Sequence, residues 1–468
     1  MPNTTGAAVA ISDRRFYAYA LATGTIAGLV GVAFHFTVEY ISRWPRLLRH
    51  FLGETALSIG IAAAIGVLFA TIALFLVRRF APEAAGSGVP DVEGAMEGGV
   101  AIPWRRILPV KFFGGILALS SGMMLGREGP TIHLGASVAV GLAERFRLNS
   151  IDGRALLAAG GAAGLAAAFN APLAAILFVV EETRRQFPYS LRSYVGVMLA
   201  SILSGIVTTV LGGTRPYLEM ASFEMAEWLL PVFALLGLVL GGVGVFFNRM
   251  LIAALDLTAR ISTRAPYAPA LVVGSVLGAA TVVFPLANGG GEGMIMRVLE
   301  DHPGYLALIV LLFLRFFGVL ASYSTGVPGG IFAPILAIAT VVGLFFAHGV
   351  TDLLPEVVIT HSEPAFAVAA MAGLFASTIR APLVGVVLAL ELSGAYPVLL
   401  PALVTATVSY LTAAAIGGKP IYEQLLERTR ALKAARAAAE KAEKAAAAAA
   451  APPRPAVAGA AAGVSPEP

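Results

Sequence analysis

The sequence predicts an all-α integral membrane protein, built from tilted and broken transmembrane helices in two repeated halves. Three observations carry this: a strongly apolar composition, a series of long uncharged runs, and two pairs of Gly/Pro patches that recur in the same order.

Of 468 residues, 58% are hydrophobic and only 13% charged, with a mean hydropathy of +0.82. A soluble domain keeps about 25% charged residues to maintain a wetted surface. Half that share means that much of the surface faces something other than water. The formal net charge of +4 is small for this length and argues against a nucleic-acid partner. There are no cysteines, so disulfides, thiolate metal sites and thiol nucleophiles are excluded.

A helix needs about 20 apolar residues to span a bilayer. The uncharged stretches 16–38, 55–77, 155–180, 193–214, 228–248, 266–291 and 316–347 meet that length. Shorter ones, 304–314, 364–379 and 381–390, sit beside Arg315, Arg380 and Glu391. Mixed long and short segments suggest helices that stop partway through the membrane. Broken backbone is tolerated there only where protein buries it or water reaches it.

Residues 1–15 are polar, lack the features of a secretory signal and end in Arg14 and Arg15. They read as a retained cytoplasmic leader. The basic C-terminal tail agrees, because Lys and Arg stay cytoplasmic near membrane ends. Both termini are therefore expected inside. The membrane domain covers 16–426. The tail, 427–468, begins as an Ala-rich helix over 427–451 and ends in a Pro/Ala-rich stretch expected to be disordered.

The repeat is legible in short patches. Gly126-Arg-Glu-Gly-Pro130 matches Gly330-Ile-Phe-Ala-Pro334, both G-x-x-x-P entering apolar segments. Ala171-Pro172-Leu173 with Glu181 matches Ala381-Pro382-Leu383 with Glu391, each Glu nine residues after its Pro. Many secondary transporters are built from such repeats, with the substrate site at their interface.

Pro is favoured in the first turn of a helix, and Gly lets backbone approach a ligand. Gly126–Pro130 and Gly330–Pro334 therefore read as helix N-termini, whose free N–H groups and dipole suit an anion. Ordinary Gly/Pro helix starts would look the same. Gly86-Ser-Gly-Val-Pro90 offers a hydroxyl between two glycines ahead of a Pro, and could equally be a flexible loop. Glu128, Gly-flanked at such an N-terminus, would compete with an anion for one place until protonated; alternatively it caps its helix or pairs with Arg127.

In this order, Gly86–Pro90, Gly126–Pro130 and Gly330–Pro334 resemble the three signature stretches of the CLC chloride channels and transporters. Lys419-Pro-Ile-Tyr422 resembles a fourth, and Lys111 with Phe112-Phe113-Gly114-Gly115 and Phe169-Asn-Ala-Pro172 also look like family sequence. The resemblance spans about residues 16–426 and leaves out the leader and tail.

It implies an inverted repeat of antiparallel halves and a homodimer with one pathway per subunit. It implies that Ser87 and Tyr422 supply hydroxyls, and the amides around Ile331 and Phe332 complete, a central chloride site. The motif positions are Gly86, Gly88, Pro90, Gly126, Arg127, Gly129, Pro130, Gly330 and Pro334. Glu128 corresponds to the gating glutamate that takes the extracellular proton. Glu182 corresponds to the intracellular proton-transfer position, a Glu in many exchangers and commonly apolar in channels; a surface carboxylate near Arg184 or Arg185 is the plainer reading.

The expectation is proton-coupled chloride antiport, with a passive chloride channel on the same fold as the alternative. Ser87 goes with chloride preference, with bromide and nitrate as weaker substrates. Partners are chloride, protons and the lipid bilayer, and the location a multi-pass membrane protein of a bacterial inner membrane. Neither a nucleotide-sensing domain nor a cofactor is expected, since the tail is short and no Gly-Lys-Ser/Thr loop occurs. His133, three residues after Pro130, is either a gating modulator or a packed polar residue. His35 and His302 lie in no metal-like spacing. A non-transporting scaffold or an intramembrane enzyme is the remaining class, and no nucleophile–base pair supports it.

Overall fold

Apolar helices punctuated by Gly and Pro make up the whole computed structural model, which describes residues 11–182, 190–213, 218, 227–353 and 363–450. The first half comprises α1 (Asp13–Ile41), α2 (Trp44–Leu52), α3 (Ala56–Phe80), α4 (Val89–Met96), α5 (Trp104–Ser120), α6 (Glu128–Arg145), α7 (Ser150–Phe169), α8 (Pro172–Glu182) and α9 (Leu191–Gly212). The second comprises α10 (Leu230–Arg264), α11 (Ala268–Val283), α12 (Glu292–Asp301), α13 (Tyr305–Ser324), α14 (Phe332–Leu353), α15 (Glu363–Ile379), α16 (Pro382–Ser393) and α17 (Leu399–Ala415). A last helix, α18 (Ile421–Ala450), follows and contains most of the Ala-rich stretch. Residues up to Gln424 form one compact unit and those from Leu425 a second. The first ten residues of the leader, Arg184 and Arg185, and the Pro/Ala-rich end lie outside the described residues.

Among the described residues, seven helical stretches are long and apolar enough to cross a membrane, and several apolar helices are shorter. The protein is thus a multi-pass membrane protein. Its two halves pack alike. In the first, α1 packs on α5, α7 and α9, α7 on α6, α8 and α9, and α3 on α5. In the second, α10 packs on α13, α15 and α17, α15 on α14, α16 and α17, and α11 on α13.

Two contacts between the halves are self-reciprocal. The free first-turn N–H groups of α8, Leu173 and Ala174, donate to the Glu391 carboxylate near the end of α16 at 3.1 and 2.7 Å. Those of α16, Leu383 and Val384, donate to Glu181 near the end of α8 at 3.2 and 2.8 Å. Each carboxylate meets the positive end of the other helix dipole. Because each helix start meets the other's end, α8 and α16 run antiparallel, and the repeat is inverted here. Removing one carboxylate orphans two donors, one exposed and one part-buried. Glu391→Ala and Glu181→Ala should each destabilise the protein by about 1–3 kcal/mol, read as a lowered unfolding midpoint in detergent. Unchanged midpoints would contradict the capping role.

Three runs differ from their sequence expectation. Residues 155–180 are two helices, not one span. The chain breaks at Asn170, whose φ of 53° is left-handed, and restarts at Pro172, which cannot continue α7. Arg380, with φ of 76°, makes the matching break before Pro382. Residues 316–347 likewise divide into the end of α13 and α14. Arg315 interrupts nothing: α13 runs through it, because its buried guanidinium donates to the carbonyls of Ala287, Gly289 and Gly290 at 3.0, 2.8 and 2.7 Å.

Candidate functional site

The three Gly/Pro stretches meet. Gly126 and Gly330 exchange backbone hydrogen bonds, Gly126 N–H to Gly330 at 2.8 Å and the return bond at 2.6 Å. Gly86 N–H donates to Val327 at 3.2 Å, and Gly329 N–H to Gly86 at 3.0 Å. The starts of α6 and α14 are thereby joined, with the loop before α4 bound to the same strip of chain. The first-turn N–H groups of a helix have no intrahelical acceptor. In α14 the first intrahelical bond is from Ile335 to Ile331, which leaves the amides around Ile331 and Phe332 available.

Ser87 is buried, and its Oγ accepts from Val89 N–H at 3.3 Å. Gly88 caps α4 with φ of 86°, a conformation that glycine adopts without strain. Gly129 is where backbone must come close: a Cβ there would lie 2.7 Å from Ser87 Oγ. Behind the loop, fully buried Lys111 donates to the carbonyls of Ala84 and Gly86 at 3.1 and 2.7 Å. Its charge anchors the loop's carbonyl side. His133, also fully buried, packs its ring against Gly88.

Glu128 opens α6 and is completely buried, and neither of its oxygens has a well-aligned hydrogen-bond partner. The backbone N–H groups facing it are its own and that of Ala333 in the start of α14. A Cβ on Gly330 would lie 3.0 Å from Oε2. The carboxylate therefore sits where the two helix N-termini converge. It does not hydrogen-bond Arg127, whose Nε donates instead to the carbonyl of Ala168 at 3.0 Å and whose Nη1 contacts His35 Nδ1.

Tyr422 is fully buried, and its hydroxyl faces Ser87 without a well-aligned hydrogen bond. Buried hydroxyls are nearly always hydrogen-bonded, so this one is poised for a further acceptor. Its ring packs 5.8 Å from Phe332, which also meets Phe375 at 5.0 Å and Phe178 at 5.7 Å. Asn248 holds the preceding segment through the carbonyls of Thr378 and Lys419, at 2.9 and 3.1 Å. Arg380 grips Gly418 O at 2.6 Å.

Glu182 ends α8, half-buried, one turn beyond Phe178 on the same helical face. Tyr422 lies within electrostatic reach of both Glu128 and Glu182. The structure thus brings Ser87, Glu128, Ile331, Phe332 and Tyr422 together, with Glu182 adjoining them. Sequence reading missed Glu93, a buried carboxylate on α4 that faces Glu182, Glu97 and Glu423. It also missed Asn248 and Arg380. A carboxylate six residues after Ser87, on a helix flanked by small residues, was the available signal for Glu93.

The arrangement offers hydroxyls and backbone amides to an anion, closed by one carboxylate. Residues 69–414 match the family described as voltage gated chloride channel. The chain is 42% identical over 417 residues to a protein of Vibrio campbellii named H(+)/Cl(-) exchange transporter ClcA, covering 87% of this chain and 88% of that one. It is 43% identical over 417 residues to the protein of the same name from Vibrio parahaemolyticus, with the same coverage. Its fold is similar to the crystal structure of a slow cyanobacterial Cl-/H+ antiporter, with a TM-score of 0.85, 34% identity, and coverage of 89% of this chain and 98% of the other. A family match over most of the chain, with the signature stretches gathered at one site, leads to one conclusion: the chain belongs to the voltage-gated chloride channel, or CLC, family.

Proposed function

We propose that this protein exchanges chloride for protons across a membrane, and that Glu128 couples the two. One observation carries this reading: the Glu128 carboxylate lies at the convergence of two helix N-termini, the place that would attract an anion. A carboxylate there mimics a bound chloride. Protonation removes its charge, and with it its hold on the dipoles, so chloride can take the place. When chloride leaves and the proton is released, the carboxylate returns. Each cycle thus moves a proton against an anion.

Chloride is held by dipoles: the hydroxyls of Ser87 and Tyr422 and the amides around Ile331 and Phe332. Lys111 and Arg127 spend their hydrogen bonds on carbonyls and on His35. Binding is therefore favourable yet weak, as conduction requires. Protons take a second route through Glu182, with buried Glu93 beside it. Intramembrane carboxylates commonly mark such relays. The motif positions Gly86, Gly88, Pro90, Gly126, Gly129, Pro130, Gly330 and Pro334 shape the backbone around the anion. The same reading makes the protein a transporter and not an enzyme, acting as a homodimer in a bacterial inner membrane with cytoplasmic termini. Residues 16–426 are the transport domain in this reading, and 427–468 a tail.

The test uses purified protein in liposomes loaded with high chloride. Chloride exit should drive protons inward against their gradient, and Glu182→Gln should stop proton movement while chloride flux persists. Chloride exit without proton movement in the unaltered protein would mean a passive channel. Full coupling in Glu182→Gln would remove that residue from the proton route.

A further inference from the structure

Arg127 adjoins the gate in sequence, and its partners include a carbonyl on α7 and a side chain on α1. The residue is only 8% exposed, with Nε bound to Ala168 O at 3.0 Å and Nη1 against Nδ1 of His35 on α1. Arginine can only donate. His35 Nδ1 must therefore accept, which puts the ring proton on Nε2. That nitrogen faces Glu39 Oε2 at 3.9 Å, and Glu39 in turn accepts from Arg43 at 2.7 Å. The charged groups acting on His35 are Arg127, which caps the start of α6, and Glu39 from its own helix. The His35 side chain is 29% exposed and that of Glu39 46%, so the array runs from the buried gate toward the surface.

We propose that His35 is a positioning residue for the Glu128 gate: as a neutral acceptor it keeps the Arg127 guanidinium turned away from the Glu128 carboxylate. This rests on the reading of Glu128 as the gate. Glu128 needs freedom to leave and re-enter the anion place, and a neighbouring guanidinium bound to it would pin it. A protonated His35 has no lone pair for Arg127 and adds a second positive charge beside it. The guanidinium is then repelled toward the adjacent carboxylate. Acid thus acts twice and in opposite senses: protonating Glu128 admits chloride, while protonating His35 slows gate exchange.

The full-length protein in liposomes, assayed for chloride flux and proton coupling across pH, tests this. His35→Leu removes the acceptor and should slow exchange at neutral pH about fivefold. His35→Gln keeps an acceptor oxygen that does not titrate; it should restore the neutral-pH rate and abolish the slowing at acid pH. On a Glu128→Ala background, where no gate remains to pin, His35→Leu should have no further effect on chloride flux. Wild-type rate and pH profile in His35→Leu would overturn the proposal. So would an equal loss with and without Glu128, which marks a merely structural residue. Should His35→Leu fail to fold, the pH profile of His35→Gln decides alone: an unchanged acid limb overturns the proposal. Persisting proton coupling in Glu128→Ala by itself would instead strike the gate reading, a separate and recognisable failure.

Discussion

Glu128→Ala is expected to abolish chloride-driven proton movement while chloride flux continues. The carboxylate is buried, faces the backbone N–H groups of Glu128 and Ala333 without a well-aligned hydrogen bond, and lies at the joined starts of α6 and α14. The carboxylate packs against Gly126 and Gly330, and no side chain forms a well-aligned hydrogen bond to it. Truncation therefore leaves the stitched backbone intact and opens the anion place permanently. Without a titratable group there, occupancy by chloride no longer depends on a proton. The proton-to-chloride ratio should fall to zero within error, with the pH dependence of chloride flux from this group lost as well. Paired chloride and proton electrodes on one liposome sample read both. Coupling that survives would assign the gate elsewhere.

The second large effect is expected at Tyr422. Its hydroxyl faces Ser87, and its ring packs on Phe332, whose backbone belongs to the proposed anion cradle. Tyr422→Phe removes one donor and keeps the ring. It should weaken chloride binding by about 0.5–1.5 kcal/mol, or ~2–10-fold in Kd. Tyr422→Ala also removes the aromatic wall between the anion and the Glu182 side. It leaves a cavity against Phe332, costing about 3–5 kcal/mol of stability, and water that enters provides a leak. Chloride binding should fall further than in Tyr422→Phe, with a lower proton-to-chloride ratio. Calorimetry giving equal, wild-type affinity in both variants would remove Tyr422 from the site.

Much of this site was legible in the sequence because its chemistry is local. A helix start needs its Pro and Gly within a few residues, so Gly126–Pro130 and Gly330–Pro334 could be read as N-termini from their own composition. The repeat was legible for the same reason, as short patches recurring in order, whereas its inversion was implied only by the family resemblance. Partners distant along the chain were not. The spacing of Glu181 and Glu391 from their prolines was visible, but nothing local says that each caps the helix of the other half, some two hundred residues away. Arg315 looked like an interruption because hydropathy counts charge, whereas the carbonyls of Ala287, Gly289 and Gly290 satisfy it inside the protein. Asn170 broke a run that composition reads as continuous, since a left-handed backbone leaves no apolar signature. Glu93 escaped notice because a carboxylate on a short helix reads as solvated until packing buries it. His35 gave no signal at all: its meaning depends entirely on Arg127, brought to it by the packing of α1 on α6.

The central claim is that chloride and the Glu128 carboxylate compete for one place. Chloride titration of the purified protein by calorimetry, repeated across pH, tests it most directly. Competition predicts that chloride affinity rises as pH falls and that protons are taken up with chloride, because each reports the same linkage. In Glu128→Gln the affinity should be high at every pH, and the linked protons should vanish. Chloride affinity independent of pH in the unaltered protein, or pH dependence that persists unchanged in Glu128→Gln, would contradict the claim.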